Sequence, residues 1–145
     1  MRKIITLASP LVACLLFTSS SFANYESLVA REIASSVKKD LNKTYGNFPI
    51  KVDDKISLTN ISSKGPTIIY DYRYKAKSVK FSQKDVDSFS ELLFDEELCQ
   101  NEELVSFFNE KDIEWVNRFT FKDKKTMSSS FHIKDICDKI STNDF

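Results

Sequence analysis

The sequence predicts an α+β protein: an antiparallel sheet of two hairpins packed against an N-terminal helix and a central helical pair, with one disulfide. Three observations carry that expectation. Apolar residues recur with a helical period in some stretches and with period two in others. The order is helix, hairpin, helix, short helix, hairpin, which segregates helices from paired strands. Two cysteines, Cys99 and Cys137, remain once an N-terminal leader is set aside.

At 145 residues, with 21 Lys+Arg against 21 Asp+Glu, the chain is one domain's worth of material with no net charge. Its 41% hydrophobic content is too high for a disordered chain. The balanced charge gives no electrostatic ground for a nucleic-acid partner. With 2 Gly and 3 Pro it is neither collagen-like, linker-rich nor built on a Gly-loop for phosphate. A single His leaves little from which to make a His-based metal site or a Ser–His triad.

Residues 1–23 read as a secretory signal peptide of bacterial length. Arg2 and Lys3 form the basic start, Ile4 to Phe17 the apolar stretch, and Ser21 and Ala23 the small residues before cleavage ahead of Asn24. The apolar stretch is shorter than the ~20 residues a membrane span needs. A competing reading takes Leu11-Val12-Ala13-Cys14 as a lipobox, with Cys14 acylated. The mature domain is 24–145, expected in the periplasm or secreted, or lipid-anchored to the outer membrane on the competing reading. In an exported protein Cys99 and Cys137 most simply form one structural disulfide. Closing a separation of 38 residues contributes roughly 3–4 kcal/mol on the chain-entropy model.

Each element has its own pattern. Over 25–43, Val29, Ile33, Val37 and Leu41 recur every four residues, widened by Leu28, Ala30 and Ala34, and Gly46 and Pro49 end the helix. Over 48–62, Ile56 and Leu58 alternate with polar residues, and Ser62 to Pro66 form a turn cluster. Over 67–75, Ile68, Tyr70, Tyr72 and Tyr74 share one face, with Asp71, Arg73 and Lys75 on the wet one. Ser82 caps a helix over 83–97 whose stripe is Val86, Phe89, Leu92 and Leu93, and Asn101 caps another over 101–109 with Leu104, Phe107 and Phe108. Ile113, Trp115, Phe119 and Phe121 share a strand parity, with Asn117 its polar exception. After the turn at 122–125 the same parity returns as Met127, Phe131 and Ile133; Ile136 and Cys137 close the core, and Ser141 to Phe145 fray.

No candidate for chemistry stands out from its surroundings. His132 sits at a solvated strand position, and Ser128-Ser129-Ser130 lack a G-x-S-x-G elbow. The pairs Asp53-Asp54, Glu96-Glu97 and Glu102-Glu103 suit turns and helix starts, where carboxylates meet free N–H groups. The Tyr70, Tyr72, Tyr74 ladder reads as a core face rather than a stacking platform. Asn42-Lys43-Thr44 and Asn60-Ile61-Ser62 match the glycosylation sequon, which matters only in a eukaryotic secretory pathway. No catalytic residue, metal or cofactor is expected.

The run Phe48-Pro49-Ile50-Lys51-Val52-Asp53, then Ile56-Ser57-Leu58, then Ile69 to Tyr74, resembles an "lP-x-x-VD-x-x-t-x-L…Y-x-Y" opening. Cys99 before a short helix, the Trp115 to Asp123 stretch and a closing Asp135-Ile136-Cys137 extend the likeness over nearly the whole mature chain. Together these are similar to small periplasmic proteins grouped with quorum-sensing-regulated virulence factors and, more distantly, to type II secretion pilotins. The late turn departs from the pattern, with Lys124-Lys125 where Gly is common. The resemblance implies an exported, non-catalytic binding protein of the bacterial envelope, associated with virulence. Its alternatives are a pilotin-like chaperone of an outer-membrane secretin and, last, a small hydrolase. The expected partner is a protein of unassigned identity, with no nucleic acid and no membrane span; the oligomeric state is not legible.

Overall fold

The computed structural model describes residues 25–143. The leader at 1–23, including Cys14, lies outside the described residues. Helix α1 (Tyr25–Tyr45) is followed by β1 (Ile50–Lys51), β2 (Ile56–Lys64) and β3 (Thr67–Tyr74). Helix α2 (Gln83–Leu93), a 3₁₀ segment (Glu96–Gln100) and α3 (Glu102–Glu110) then cross to β4 (Glu114–Thr120). Strand β5 (Thr126–His132) and helix α4 (Ile133–Asn143) complete the chain.

The α1 stripe buries Val29, Ile33, Val37, Leu41 and both alanines, Ala30 and Ala34. Leu28, expected to widen the stripe, is exposed. The helix is rolled toward its alanine side, where small side chains allow close approach to the sheet, and this leaves Leu28 on the rim. Gly46 ends the helix by donating its N–H to the Asn42 carbonyl at 3.0 Å from a φ of +90°, a conformation open to glycine.

The sheet has order β1-β2-β3-β4-β5. Both expected hairpins, β2–β3 and β4–β5, are antiparallel, but they are not separate units. Strands β3 and β4 pair in parallel, Thr67 opposite Glu114 through Arg73 opposite Thr120, and fuse them into one sheet. A parallel pair needs a crossover of a dozen or more residues, and residues 75–113 supply it. The β2–β3 turn is tighter than the serine cluster suggests. Ser62 and Ser63 pair with Ile69 and Ile68, so only Gly65 and Pro66 turn.

The sheet's inner face carries Ile56, Leu58, Ile68, Tyr70, Tyr72, Trp115 and Phe119, all buried. Its other face is wet, and there Arg118 Nη2 donates to Asp71 Oδ2 at 3.0 Å across β3 and β4. Helix α1 packs on β2 and β3, and α2 packs on β5. Trp115 is covered from α3, whose Phe108 meets it edge-on at 4.9 Å.

Two elements depart from the sequence reading. The helix expected over 83–97 stops at Leu93, because Phe94 turns extended and is buried edge-on against Phe131. Val86, Ser90 and Leu93 point inward, which turns Leu92 about a quarter-turn away to 60% exposure. The second departure is α4, where Ile133, Ile136, Cys137 and Ile140 lie at helical spacing on the core side. Residues 141–143, expected to fray, continue that helix.

Candidate functional site

Cys99 and Cys137 are joined, with Cα atoms 5.4 Å apart. The bond ties α4 to the 3₁₀ segment of the crossover. Beside it, that segment, α3 and α4 wall an open groove of about 530 Å³. Val105, Ile140 and the two cysteines are the apolar part of a lining that also includes Gln100, Ser106, Asn109 and Ser141. Glu96 and Glu102 stand on one side, and Lys134 and Asp138 on α4. Lys134 Nζ donates to Asp138 Oδ2 at 2.7 Å, and that carboxylate raises the lysine's pKa above its ordinary value. A bond from Lys139 to Glu91 holds α4 against α2.

The groove's walls form for local reasons. Asn101 Oδ1 accepts from the Leu104 N–H at 3.0 Å and caps α3, with Glu102 and Glu103 in its positive first turn. Leu104, Phe107 and Phe108 anchor α3 in the core, which leaves Val105, Ser106 and Asn109 toward the groove. The groove lies between helical elements, whereas the pilotin-like alternative, gripping a helix of its partner, calls for an apolar groove between helix and sheet. The sequence reading missed Val105 and Ile140. Ile140 had a signal, the i, i+3, i+7 spacing of Ile133, Ile136 and Ile140; Val105, beside the buried Leu104, had none.

The other candidates are dispersed and structurally engaged. His132 Nε2 lies 3.0 Å from Asp112 Oδ1, and Nδ1 lies 4.0 Å from Asp135 Oδ2. Both ring nitrogens thus face carboxylates and neither is directed at a hydroxyl, so the serine run gains no base. Ser129 points inward and Ser128 and Ser130 outward, as strand alternation requires. Asp53 Oδ1 accepts from the N–H groups of Lys55 and Ile56, and Asp54 pairs with Lys51 at 2.9 Å. Asn60 Oδ1 accepts from Lys38 Nζ. Tyr70 and Tyr72 are buried, which drives both phenol pKa values far upward. Among the described residues, no three His, Cys, Asp or Glu side chains are grouped to hold a metal ion. Nor is any described helix long and apolar enough to cross a membrane.

The chain matches no protein-family model and no curated protein. Among solved structures it is similar to a "putative secreted protein" from Pseudomonas aeruginosa, with a TM-score of 0.54 and 15% identity, over 83% of this chain and 99% of that one. It is also similar to the type 2 secretion system pilotin EpsS of Vibrio vulnificus, with a TM-score of 0.48 and 10% identity, over 77% and 91%. For the type II secretion pilotin AspS of Vibrio cholerae the TM-score is 0.45 and the identity 16%, over 77% and 92%. What the first of these likenesses establishes is the fold, an α+β domain shared over most of both chains.

Proposed function

We propose that this chain is an exported, non-catalytic binding protein of the bacterial envelope. In this reading it holds a short segment of a protein partner in the groove beside Cys99–Cys137. The observation that carries it is the groove itself: open, bounded by helices, with Val105, Ile140 and the disulfide as its apolar strip among polar residues, carboxylates and a lysine. That arrangement suits an amphipathic segment whose apolar side meets Val105 and Ile140. The engagement of His132 with Asp112 and Asp135 weighs against the hydrolase alternative. The narrower assignments, to a quorum-sensing-regulated virulence factor or to a pilotin-like chaperone, rest on the sequence resemblance. That the groove is open favours the chaperone of the two; that it lies between helices rather than between helix and sheet does not.

The test is site-specific photo-crosslinking in the native envelope from Ser106 and Asn109, which line the groove. One defined polypeptide should be captured from both positions, and Val105→Asp should abolish its capture. Capture from other surfaces but not from these overturns the groove reading. A captured secretin, mislocalised when this gene is deleted, selects the chaperone; any other defined protein removes it. Processing is checked by intact mass of protein from the native host. A start at Asn24 is the expected result, and an acylated species starting at Cys14 replaces the soluble form with the lipid-anchored one.

A further inference from the structure

Two lysine-rich segments far apart in sequence meet at one end of the sheet. Because β3 and β4 are parallel, both release the chain at the same end. The exit from β3 reads Arg73-Tyr74-Lys75-Ala76-Lys77-Ser78-Val79-Lys80, and that from β4 reads Lys122-Asp123-Lys124-Lys125. Three hydrogen bonds lock them together. Lys122 N–H donates to the Ala76 carbonyl at 2.9 Å, and Ser78 donates to Asp123 Oδ2 from its N–H at 3.2 Å and its hydroxyl at 2.7 Å. Tyr74, Phe81 and Phe121 pack against one another beneath, with centroids 5.0, 5.2 and 5.8 Å apart.

The two exits carry seven cations against one carboxylate, in a chain of zero net charge. That carboxylate, Asp123, is occupied by Ser78. Asp54, which the charge of Lys75 reaches, is paired with Lys51. Among the described residues, none of the seven forms an ion pair. Between Lys77 and Lys80 stands Val79, 79% exposed and the most exposed large hydrophobic residue described.

An apolar side chain held out beside lysines without ion pairs combines the two attractions of a peripheral membrane contact: partitioning of the tip and attraction to headgroups. The lysine heads are not fixed by hydrogen bonds, which suits a fluid array of phosphates better than one small anion of fixed shape. The aromatic rings below pack on one another at an angle, and Tyr74 and Phe121 line an open hollow of about 640 Å³ among Arg73, Lys75, Lys122 and Lys124, which gives the tip apolar surface as well as charge. We infer that this basic tip docks on an anionic phospholipid surface, with Val79 entering the interface and the lysines on headgroup phosphates. The tip shares no residue with the groove beside the disulfide, so the two readings stand or fall separately.

The test is co-flotation of the mature protein with vesicles of phosphatidylcholine, alone or with 30 mole per cent (roughly one lipid in three) phosphatidylglycerol. Binding should require the anionic lipid and weaken steeply as ionic strength rises and the Debye length shrinks. Each lysine near the surface is worth about fivefold in affinity, so Lys80→Glu/Lys122→Glu/Lys125→Glu should lose on the order of a hundredfold or more. Val79→Ser should weaken binding severalfold at unchanged salt dependence, and Lys39→Glu/Lys43→Glu on α1 should leave it intact. Circular dichroism of each exposed-site variant checks that the fold is kept. Equal binding to both vesicles, or no binding to the anionic ones at low salt, overturns the proposal. Complete displacement by millimolar inorganic phosphate also overturns it, in favour of a site for a free anion.

Discussion

Trp115 has no exposed surface, and its indole meets the Phe108 edge at 4.9 Å. Truncating so large a buried ring costs about 3–5 kcal/mol, so Trp115→Ala should leave the domain barely folded. The native fluorescence should be blue-shifted and resist iodide quenching; free quenching would contradict the burial. Asn117 stands in the same strand with neither side-chain amide atom bonded to protein, between Tyr70 on β3 and Ser129 on β5. A buried amide without partners costs roughly 1–3 kcal/mol. Asn117→Leu, similar in volume, should therefore hold or raise the melting temperature, and a large loss would reveal a bonding role for the amide. At this scale the strand was legible: alternation alone put Trp115, Asn117 and Phe119 on one face. What alternation left open was which helix covers Trp115, since Phe108 arrives from the crossover by a contact that no local period encodes.

Among the elements, helix α2 was legible at its start and not at its end. Ser82 and Asp85 bond reciprocally as a capping box, with the Ser82 N–H to Asp85 Oδ2 at 2.7 Å and the Asp85 N–H to Ser82 Oγ at 3.2 Å. Ser82→Ala should lower stability by about 1 kcal/mol, measured by urea denaturation with an unchanged m-value. The end at Leu93 is set by Phe94, an aromatic that tertiary packing pulls out of the helix. Helix α4 was hidden because it begins at Ile133 directly after His132, with no glycine, proline or loop between strand and helix. Strand alternation through Met127, Phe131 and Ile133 runs straight into it. The groove was hidden with it, since one of its three walls is α4. The cross-link belongs to this scale too, because it ties α4 to the crossover. Cys137→Ser should remove roughly 3–4 kcal/mol. At roughly 3–6 °C per kcal/mol for a domain this size, calorimetry should show a fall of roughly 10–25 °C; an unchanged transition would remove the structural role.

For the whole molecule, burial of Tyr70 and Tyr72 makes stability depend on alkaline pH. Their phenols are held protonated in the native state, while in the unfolded chain they ionise near pH ~10. Above that pH the native state binds more protons than the unfolded one, so stability falls as pH rises. In a titration followed by tyrosinate absorbance, two of the 5 tyrosines should ionise only together with unfolding. Smooth ionisation of all of them with the fold intact would contradict the burial. The two hairpins were legible from local patterns, but their fusion was not, because β3–β4 pairing depends on residues far apart: Arg118 bonds to Asp71, 47 residues earlier. That pairing also sets the order in which the molecule can assemble as its chain emerges. Through more than three-quarters of the sequence, β3 has one neighbour and an open flank, with Ile68, Tyr70 and Tyr72 awaiting the strand and helices still to come. A growing chain cannot complete its sheet early, because strand β4, which closes that flank, comes near the end. Until then the nascent polypeptide presents an adhesive edge, and a chain cut short before Glu114 should aggregate rather than fold.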